Sequence, residues 1–589
     1  MGKIFNRQYF IHSLAALLFM NIAFFMTIAD ISLSGIYLFI RKSIACTLAI
    51  YVMQLAIKRP FWGGAGLVAL SFMAWWYLFL FWKFFVLGAD IYEKEIFIGT
   101  YGAAAFMVLQ YFCEKHANKR LAFFALDTLQ ITLCLPPVIT YVHYMIYGYP
   151  IIYEEMLAVY NTSFRETSEW VMTYVGIGPA LLLLVGIAFL WGCLGYWRSA
   201  VIRRNADEAP PGNKFLLLAV AVALFCYPLL TMSKTDCVGH FVLAAKYSHD
   251  IKDYNTHIAE CYENIQFTAD RRMIDSPHTI IMVIGESARR DYMRAYNGAY
   301  EYNDTPWLSE HKNDSSFILF THAYACQSLT QQVLEHALTE KSYYNDKDFL
   351  DSMNIMDIAR KKGYKTYWIT DLDGSDGAST FSLVAGRADH VISIEGEYDD
   401  VMLEGLQQVN PQENNFVVLH GRGLHSAYKE RYPQEMAVFG DDSTEAEYAN
   451  AMNYVDDFLK QVYEYGRTKL NMQVMLYYSD HGENLATGHG PSDHDFDKVR
   501  IPMFLYLSPE YRERNRERYQ RLLARKDSFY TNDMIYNTLS GIMNAESNYY
   551  DPLEDLSGEQ YSYKLEDLWT FGKAVRVRED PLLKTQGPE

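Results

Sequence analysis

Two apolar runs that lie far apart in the chain each end in side chains that bind metal ions. Residues 280–285 are followed by Glu286, and residues 474–479 are followed by Asp480 and His481. A continuous apolar run of this length is typical of a strand that is buried on both faces of a parallel sheet. The carboxyl ends of such strands meet at one edge, where α/β proteins bind their ligands. Two carboxylates and an imidazole at that edge would suit zinc or a similar divalent ion.

Each motif also has a simpler structural explanation. A glutamate after a strand is commonly a solvated loop residue, and Asp480 could cap a helix with His481 on the surface. The following Gly482 favours the metal interpretation, because a glycine would relieve crowding where the backbone turns beside an ion. Several histidines also fall near predicted strand ends or glycine-rich loops, namely His420, His425, His489 and His494.

A nucleophile near this edge would have to be a hydroxyl, and Ser287, Ser328 and Thr330 are the candidates. Thr330 begins a stretch whose apolar residues share one helical face. A hydroxyl at a helix amino terminus meets free amide donors and a positive dipole, which suit an incoming phosphate. The same residue could instead be a simple N-cap. Spacing alone leaves the three candidates open.

Composition divides the chain into two unlike halves. At 589 residues it is long enough for two or more domains. The mean hydropathy of −0.09 hides a split, because nearly all long apolar stretches lie before Leu230. A net charge of −18 and the lack of a basic stripe argue against a nucleic-acid partner. Eight cysteines are few for this length, so disulfides are not a main stabiliser. Cys237 and Cys261 are a candidate pair for a bridge in an oxidising compartment, and their pairing stays open.

The amino-terminal half is predicted to cross a membrane several times. Apolar windows occur near 9–28, 33–57, 64–87, 95–113, 121–142, 173–196 and 214–232. Lysines and arginines cluster in alternate connections, which predicts a cytoplasmic amino terminus and an exported carboxy-terminal half. Five or seven crossings satisfy this pattern. We therefore divide the chain into a transmembrane domain (1–232), a membrane-proximal connector (233–275) and an exported domain (276–589).

The exported domain reads as alternating strands and helices. Candidate strands are 279–285, 363–370, 389–394, 415–420, 473–479 and 501–507, and candidate helices include 330–338, 354–362 and 446–465. This alternation predicts an α/β fold with a mostly parallel central sheet and helices on both faces.

The exported domain resembles the alkaline phosphatase/sulfatase superfamily, and within it the bacterial phosphoethanolamine transferases that modify lipopolysaccharide. The matching segments keep the family's order and span about 276–510. They are Gly285-Glu286-Ser287, Tyr296-Asn297-Gly298, Thr305-Pro306, Cys326-Gln327-Ser328-Leu329-Thr330, His420-Gly421-Arg422-Gly423-Leu424-His425, Arg431-Tyr432-Pro433, Tyr448-Ala449-Asn450-Ala451 and Ser479-Asp480-His481-Gly482-Glu483. The resemblance leans toward the branch that modifies core heptose.

The resemblance implies a role for each matching site residue. Thr330 corresponds to the catalytic threonine, and Glu286, Asp480 and His481 correspond to zinc ligands that the threonine completes. His425 corresponds to a substrate-side histidine that acts as a proton donor or as a ligand of a second metal ion. His489 corresponds to a second substrate-side histidine, and His494 is its alternative because the surrounding loop is short. Thr162 and Glu166 match residues thought to contact substrate.

The chain also departs from the family pattern. Gln327 replaces a glycine beside the nucleophile, Ala158 replaces a usual asparagine, and His336 stands where a disulfide partner of Cys326 is expected. The loop after Trp368 has no lysine where some members carry one.

The function implied is a two-step, metal-dependent transfer at the bacterial inner membrane, with the catalytic domain in the periplasm. Phosphatidylethanolamine would donate phosphoethanolamine to a threonine, and lipopolysaccharide (core heptose or lipid A) would accept it. One or two Zn²⁺ ions and a monomeric state are expected. The alternatives are a phosphoglycerol transferase acting on a periplasmic glycan, and a catalytically silent membrane sensor or scaffold. The sulfatase activation motif Cys-x-Pro-x-Arg does not occur in the sequence.

Overall fold

The fold is described from a computed structural model. It covers residues 6–27, 33–62, 66–86, 93–147, 176–204, 254–269, 271–372, 380–490 and 494–585, together with short pieces between 151 and 245. The chain divides into two compact units, Met1–Tyr160 with Trp170–Lys246, and Asn161–Glu169 with Tyr247–Glu589. The break between Lys246 and Tyr247 falls inside the predicted connector.

The amino-terminal unit is built from apolar helices. They are α1 (Arg7–Thr27), α2 (Leu33–Ile57), α3 (Gly66–Phe85), α4 (Glu93–Lys115), α5 (Lys119–Tyr147) and α6 (Ile177–Arg204). Among the described residues, five of these helices are long and apolar enough to cross a membrane, and the apolar part of α3 is shorter. The predicted window 214–232 lies mostly outside the described residues.

Charged side chains inside this unit are paired. Arg198 on α6 donates from Nε to Asp127 on α5 at 2.6 Å, and its other nitrogens donate to Gln110 and Gln130. Burying an ion in a hydrocarbon layer is costly unless it is paired in this way. Asp127, which interrupts the fifth apolar window, is therefore compatible with a spanning helix.

The carboxy-terminal unit contains a seven-stranded sheet and two small two-stranded sheets. Its strands are β1 (Thr279–Gly285), β2 (Phe317–Leu319), β3 (His322–Tyr324), β4 (Lys365–Thr370), β5 (His390–Ser393), β6 (Asn415–His420), β7 (Met472–Ser479), β8 (Met503–Leu507), β9 (Phe529–Thr531), β10 (Trp569–Thr570) and β11 (Val575–Arg576). The large sheet has the order β2-β8-β7-β1-β6-β4-β5. Pairing is parallel from β7 through β5 and antiparallel at β8.

Helices flank this sheet. They are α7 (Tyr254–Glu263), α8 (Pro306–His311), α9 (Thr330–Ala337), α10 (Ile355–Lys361), α11 (Thr380–Ala385), α12 (Met402–Leu406), α13 (Thr444–Lys469), α14 (Pro509–Arg514), α15 (Arg516–Ala524), α16 (Ile535–Ile542) and α17 (Pro581–Thr585). The central strand β1 contributes to two cores: Ile280, Met282 and Ile284 pack in one, and Ile281 and Val283 pack in the other. Both faces of the sheet are therefore covered, which confirms the predicted fold class.

Candidate functional site

The two apolar runs form neighbouring parallel strands that bring three metal-binding side chains together. Gly285 at the end of β1 lies in register with Ser479 at the end of β7, so Glu286 and Asp480 leave the sheet side by side. His481 Nε2 lies 3.3 Å from Glu286 Oε1 and 3.5 Å from Asp480 Oδ2. One ligand atom from each residue lies within 4.8 Å of the others, and all three residues are buried.

Ser287 holds this cluster in place. Its backbone adopts a φ of 57°, a left-handed conformation that is uncommon for a residue with a side chain. The turn lets the Ser287 N–H donate to Asp480 Oδ1 and the hydroxyl donate to Glu286 Oε1 at 2.7 Å. Tyr448 donates to the Ser287 carbonyl and accepts from the Arg289 N–H. Ser287 therefore orients the carboxylates, and its hydroxyl is already engaged.

Of the three candidate nucleophiles, Thr330 is the one whose hydroxyl contacts both a carboxylate and the imidazole of the described metal cluster. It is the first residue of α9, and Leu329 occupies the N-cap position without a side-chain capping bond. Thr330 Oγ1 donates to Glu286 Oε2 at 2.9 Å and lies 3.4 Å from His481 Nε2. Its hydroxyl therefore faces the acidic cluster and does not cap the helix. The Ser328 hydroxyl is buried and has no partner in the part of the chain described here.

The cluster has the properties of a divalent-metal site. Burial, followed by the nearby charge of Asp480, raises the pKa of Glu286 to about 7, and burial also raises the pKa of Asp480. Burial lowers the pKa of His481, which favours the neutral imidazole that metals bind. Asp480 Oδ2 accepts no hydrogen bond from any described residue. Two buried carboxylates need a cation to offset their charge, so these residues fit a metal ion such as zinc.

Two predicted histidines lie beside the metal cluster. The His489 ring is 4.7 Å from the ring of His481 and 5.4 Å from the ring of His425. Its Nδ1 is 3.0 Å from Oε2 of the buried Glu483. Burial alone would lower the pKa of His489, but the charge and hydrogen bond of Glu483, together with the charges of Glu286 and Asp480, outweigh it and raise the pKa to about 9. Burial and the charge of His489 hold the pKa of His425 well below its usual value.

The other two predicted histidines, His494 and His420, pack against aromatic rings. His494, the alternative to His489, packs its ring 5.2 Å from Phe571. His420 ends β6 and contacts the edges of Trp368 and Phe381, and burial lowers its pKa to about 4. The geometry therefore brings His489, rather than His494, into the candidate site.

Gly482 is required for a different reason from the one the sequence suggested. A Cβ atom there would lie 2.4 Å from the Asp497 carbonyl oxygen and 3.3 Å from that of Arg500. The crowding comes from the backbone that crosses behind the site. The glycine lets that segment pass, and its N–H donates to the Lys498 carbonyl.

Cys326, just before the nucleophile, is buried and makes no disulfide. Its N–H donates to Asn532 Oδ1 and its carbonyl accepts from the Gly572 N–H. His336, at the expected position of a disulfide partner, instead stacks on Tyr343 with ring centroids 4.3 Å apart. Hydrogen bonds from the carboxy-terminal part of the domain thus hold the loop before Thr330.

Sequence reasoning missed Asn532. Its side chain also donates to the Asp480 carbonyl at 2.7 Å. No motif or spacing marks an isolated asparagine so far from both partners in the chain. Two other predicted residues, Thr162 and Glu166, lie outside the described residues, as does Cys237, so their roles and the Cys237–Cys261 bridge stay predictions.

Comparison with known proteins agrees with this architecture. Residues 278–545 match the model of the sulfatase family. The phosphoethanolamine transferase EptC of Escherichia coli is 22% identical over 471 residues, which cover 71% of this chain and 80% of EptC. The Kdo(2)-lipid A phosphoethanolamine 7''-transferase of E. coli K12 is 28% identical over 265 residues, which cover 40% of this chain and 45% of that enzyme.

A similar fold is known for a complete membrane protein. The lipooligosaccharide phosphoethanolamine transferase A (EptA) of Neisseria meningitidis aligns with a TM-score of 0.55 at 18% identity, covering 84% of this chain and 98% of EptA. Residues 278–545 thus form a domain that matches the sulfatase family model, and five described helices before it in the chain are long and apolar enough to cross a membrane. The predicted resemblance to the lipopolysaccharide phosphoethanolamine transferases is confirmed.

Proposed function

We propose that this protein transfers phosphoethanolamine from phosphatidylethanolamine to lipopolysaccharide, with Thr330 as the nucleophile. The observation that carries the proposal is the contact of the Thr330 hydroxyl with both Glu286 and His481 at the carboxyl edge of the sheet. The protein lies in the bacterial inner membrane with its catalytic domain in the periplasm. Tethering that domain to the membrane raises its effective concentration toward a lipid donor.

In the first step, Thr330 Oγ1 attacks the phosphorus of the donor phosphodiester. A bond forms between Oγ1 and phosphorus, and the bond from phosphorus to the diacylglycerol oxygen breaks. Glu286 Oε2 accepts the hydrogen bond of the hydroxyl, so the departing proton has an acceptor at the start of the attack. In the second step, a lipopolysaccharide oxygen forms a bond to the same phosphorus and the bond from phosphorus to Thr330 Oγ1 breaks. The attacking hydroxyl or phosphate gives up the proton that restores the Thr330 hydroxyl.

Glu286, Asp480, His481 and Thr330 would hold a zinc ion. A bound zinc ion polarises phosphoryl oxygens and makes a coordinated hydroxyl easier to deprotonate. Three buried ligands beside a hydroxyl that contacts two of them support an enzyme over a silent sensor or scaffold.

His489 and His425 are proposed to have different roles at the substrate. The charge and hydrogen bond of Glu483 favour the protonated form of His489, so His489 suits binding of the phosphate and protonation of the leaving diacylglycerol oxygen. His425 stays neutral, which favours a binding role over the proton-donor role that the family resemblance implied. Thr162 and Glu166 are proposed to contact the donor headgroup. We expect the protein to act as a monomer, with core heptose as the favoured acceptor.

Mass spectrometry of lipopolysaccharide from cells with and without the protein tests this function. The full-length protein should add phosphoethanolamine, and fragment ions should place the group on heptose or on lipid A. Thr330→Ala should abolish the addition. Ser328→Ala is the matched control, because Ser328 lies in the same loop and makes no hydrogen bond to a described residue.

The result would contradict the proposal if lipopolysaccharide gains no mass while the protein is present and folded. Addition of phosphoglycerol to a periplasmic glycan would instead support the alternative transferase. Retained activity in Thr330→Ala together with lost activity in Ser328→Ala would reassign the nucleophile.

A further inference from the structure

A buried asparagine joins the two parts of the candidate site. Asn532 Oδ1 accepts from the Cys326 N–H at 2.9 Å, and Asn532 Nδ2 donates to the Asp480 carbonyl at 2.7 Å. The first partner belongs to the loop that leads to Thr330, and the second is the backbone of a candidate metal ligand. One carboxamide therefore spans the nucleophile's loop and the ligand-bearing strand end.

The asparagine is itself firmly placed. It follows β9, which pairs in parallel with β3, and β3 leads into the nucleophile's loop. The next residue, Asp533, accepts from the Tyr343 N–H at 3.0 Å, and Asn532 is fully buried. When the backbone of an asparagine is held in place, its planar side-chain amide has few conformations available. Such an amide can therefore fix the distance between two backbone groups.

We propose that Asn532 is a positioning residue that fixes the Thr330 hydroxyl relative to the Glu286, Asp480 and His481 cluster. Its two side-chain hydrogen bonds go to the backbone of Cys326 and Asp480 and not to the Thr330 hydroxyl. This inference rests on the proposed function for its kinetic consequence, but the alignment it describes can be measured without any substrate. Small displacements matter here, because misplacing a reacting group by about 1 Å can cost about 100-fold in rate.

Two substitutions separate the two hydrogen bonds. Asn532→Asp keeps the acceptor for the Cys326 N–H but loses the donor to the Asp480 carbonyl, so two oxygens would face each other. Asn532→Ala loses both bonds and leaves the buried Cys326 N–H unsatisfied. Asn537 is the matched control, since it is also a buried asparagine with two hydrogen bonds, to Glu554 and to the Asp551 N–H, away from the site.

The experiment uses the full-length protein in lipid nanodiscs with fluorescent phosphatidylethanolamine as donor. Both Asn532 variants should lower kcat by about 10- to 100-fold per folded molecule, with KM within about threefold of the unsubstituted protein. Asn537→Ala should leave kcat per folded molecule within about twofold. Hydrogen exchange followed by mass spectrometry should show faster exchange in the peptide containing Cys326 for the Asn532 variants only.

Three results would overturn the inference. They are equal losses of kcat in the Asn532 and Asn537 variants, a change confined to KM, and unchanged exchange of the Cys326 peptide in both Asn532 variants. If the unsubstituted protein turns over no lipid, the proposed function fails and the exchange measurement alone decides the positioning role. If Asn532→Ala does not fold, Asn532→Asp carries the test.

Discussion

Replacing Gly482 by alanine tests how closely the backbone behind the site must pack. The added Cβ would lie 2.4 Å from the Asp497 carbonyl oxygen, 3.2 Å from the Lys498 carbonyl carbon and 3.3 Å from the Arg500 carbonyl oxygen. All three are backbone atoms, so no side chain can rotate out of the way. To reach even 3.0 Å from the first atom, the two segments must separate by 0.6 Å, the difference between 3.0 and 2.4 Å.

That movement reaches the candidate ligands directly. Gly482 follows His481, whose Nδ1 lies 2.8 Å from the Gly482 carbonyl oxygen, so a shift of the glycine reorients the imidazole. Overpacking of this kind costs about 1–3 kcal/mol of stability. A ligand displaced by a large fraction of an ångström should lower turnover by about 10- to 100-fold. The assay is transfer from fluorescent phosphatidylethanolamine, with bound zinc and the unfolding temperature measured on the same samples.

Gly298→Ala is the matched control, because a Cβ at Gly298 meets no atom within 4 Å. Its stability should stay within about 0.5 kcal/mol of the unsubstituted protein, and its turnover should not change. Normal turnover and zinc content in Gly482→Ala would refute the reasoning, since the backbone would then have absorbed the clash without moving His481.

Three further predictions concern buried side chains that can carry a charge. Burial lowers the pKa of His336 to about 3, so below pH 6.5 the unfolded chain binds a proton at this residue and the folded chain does not. The free energy of unfolding should therefore be highest near pH 7 and fall as the pH drops below about 6.5. In His336→Gln the unfolding temperature should depend less on pH. Arg500 donates two hydrogen bonds to Asp580; Arg500→Met should cost about 3–5 kcal/mol in chemical denaturation, and adding Asp580→Leu should recover part of it. Arg198→Leu should lower the unfolding temperature in nanodiscs, because the buried Asp127 carboxylate loses the arginine that pairs with it. Adding Asp127→Leu should restore part of the loss.

The sequence was sufficient to predict the core of the fold and the candidate metal cluster. Strands β1, β4, β5, β6 and β7 were predicted nearly to their ends, because buried parallel strands leave long apolar runs. The ligands Glu286, Asp480 and His481 followed from the same runs, since parallel strands place their carboxyl ends at one edge.

Other features depend on contacts that leave no local pattern. The apolar residues of β8 predict a strand but carry no information about its antiparallel direction, and three-residue strands such as β3 and β9 are too short to show a period. Choosing Thr330 over Ser287 and Ser328 required the family resemblance, because spacing alone leaves all three hydroxyls as candidates. The contact of His489 with Glu483 raises the pKa of the histidine, and that contact forms only when the loop folds back.

The most direct test of the account is to identify the residue that becomes phosphorylated. The full-length protein is incubated with phosphatidylethanolamine in the absence of an acceptor, quenched, digested and sequenced by tandem mass spectrometry. The account predicts phosphoethanolamine on Thr330, retained in Ser328→Ala and absent in Thr330→Ala. Modification of Ser287 or Ser328 instead, or transfer to lipopolysaccharide by Thr330→Ala, would contradict it.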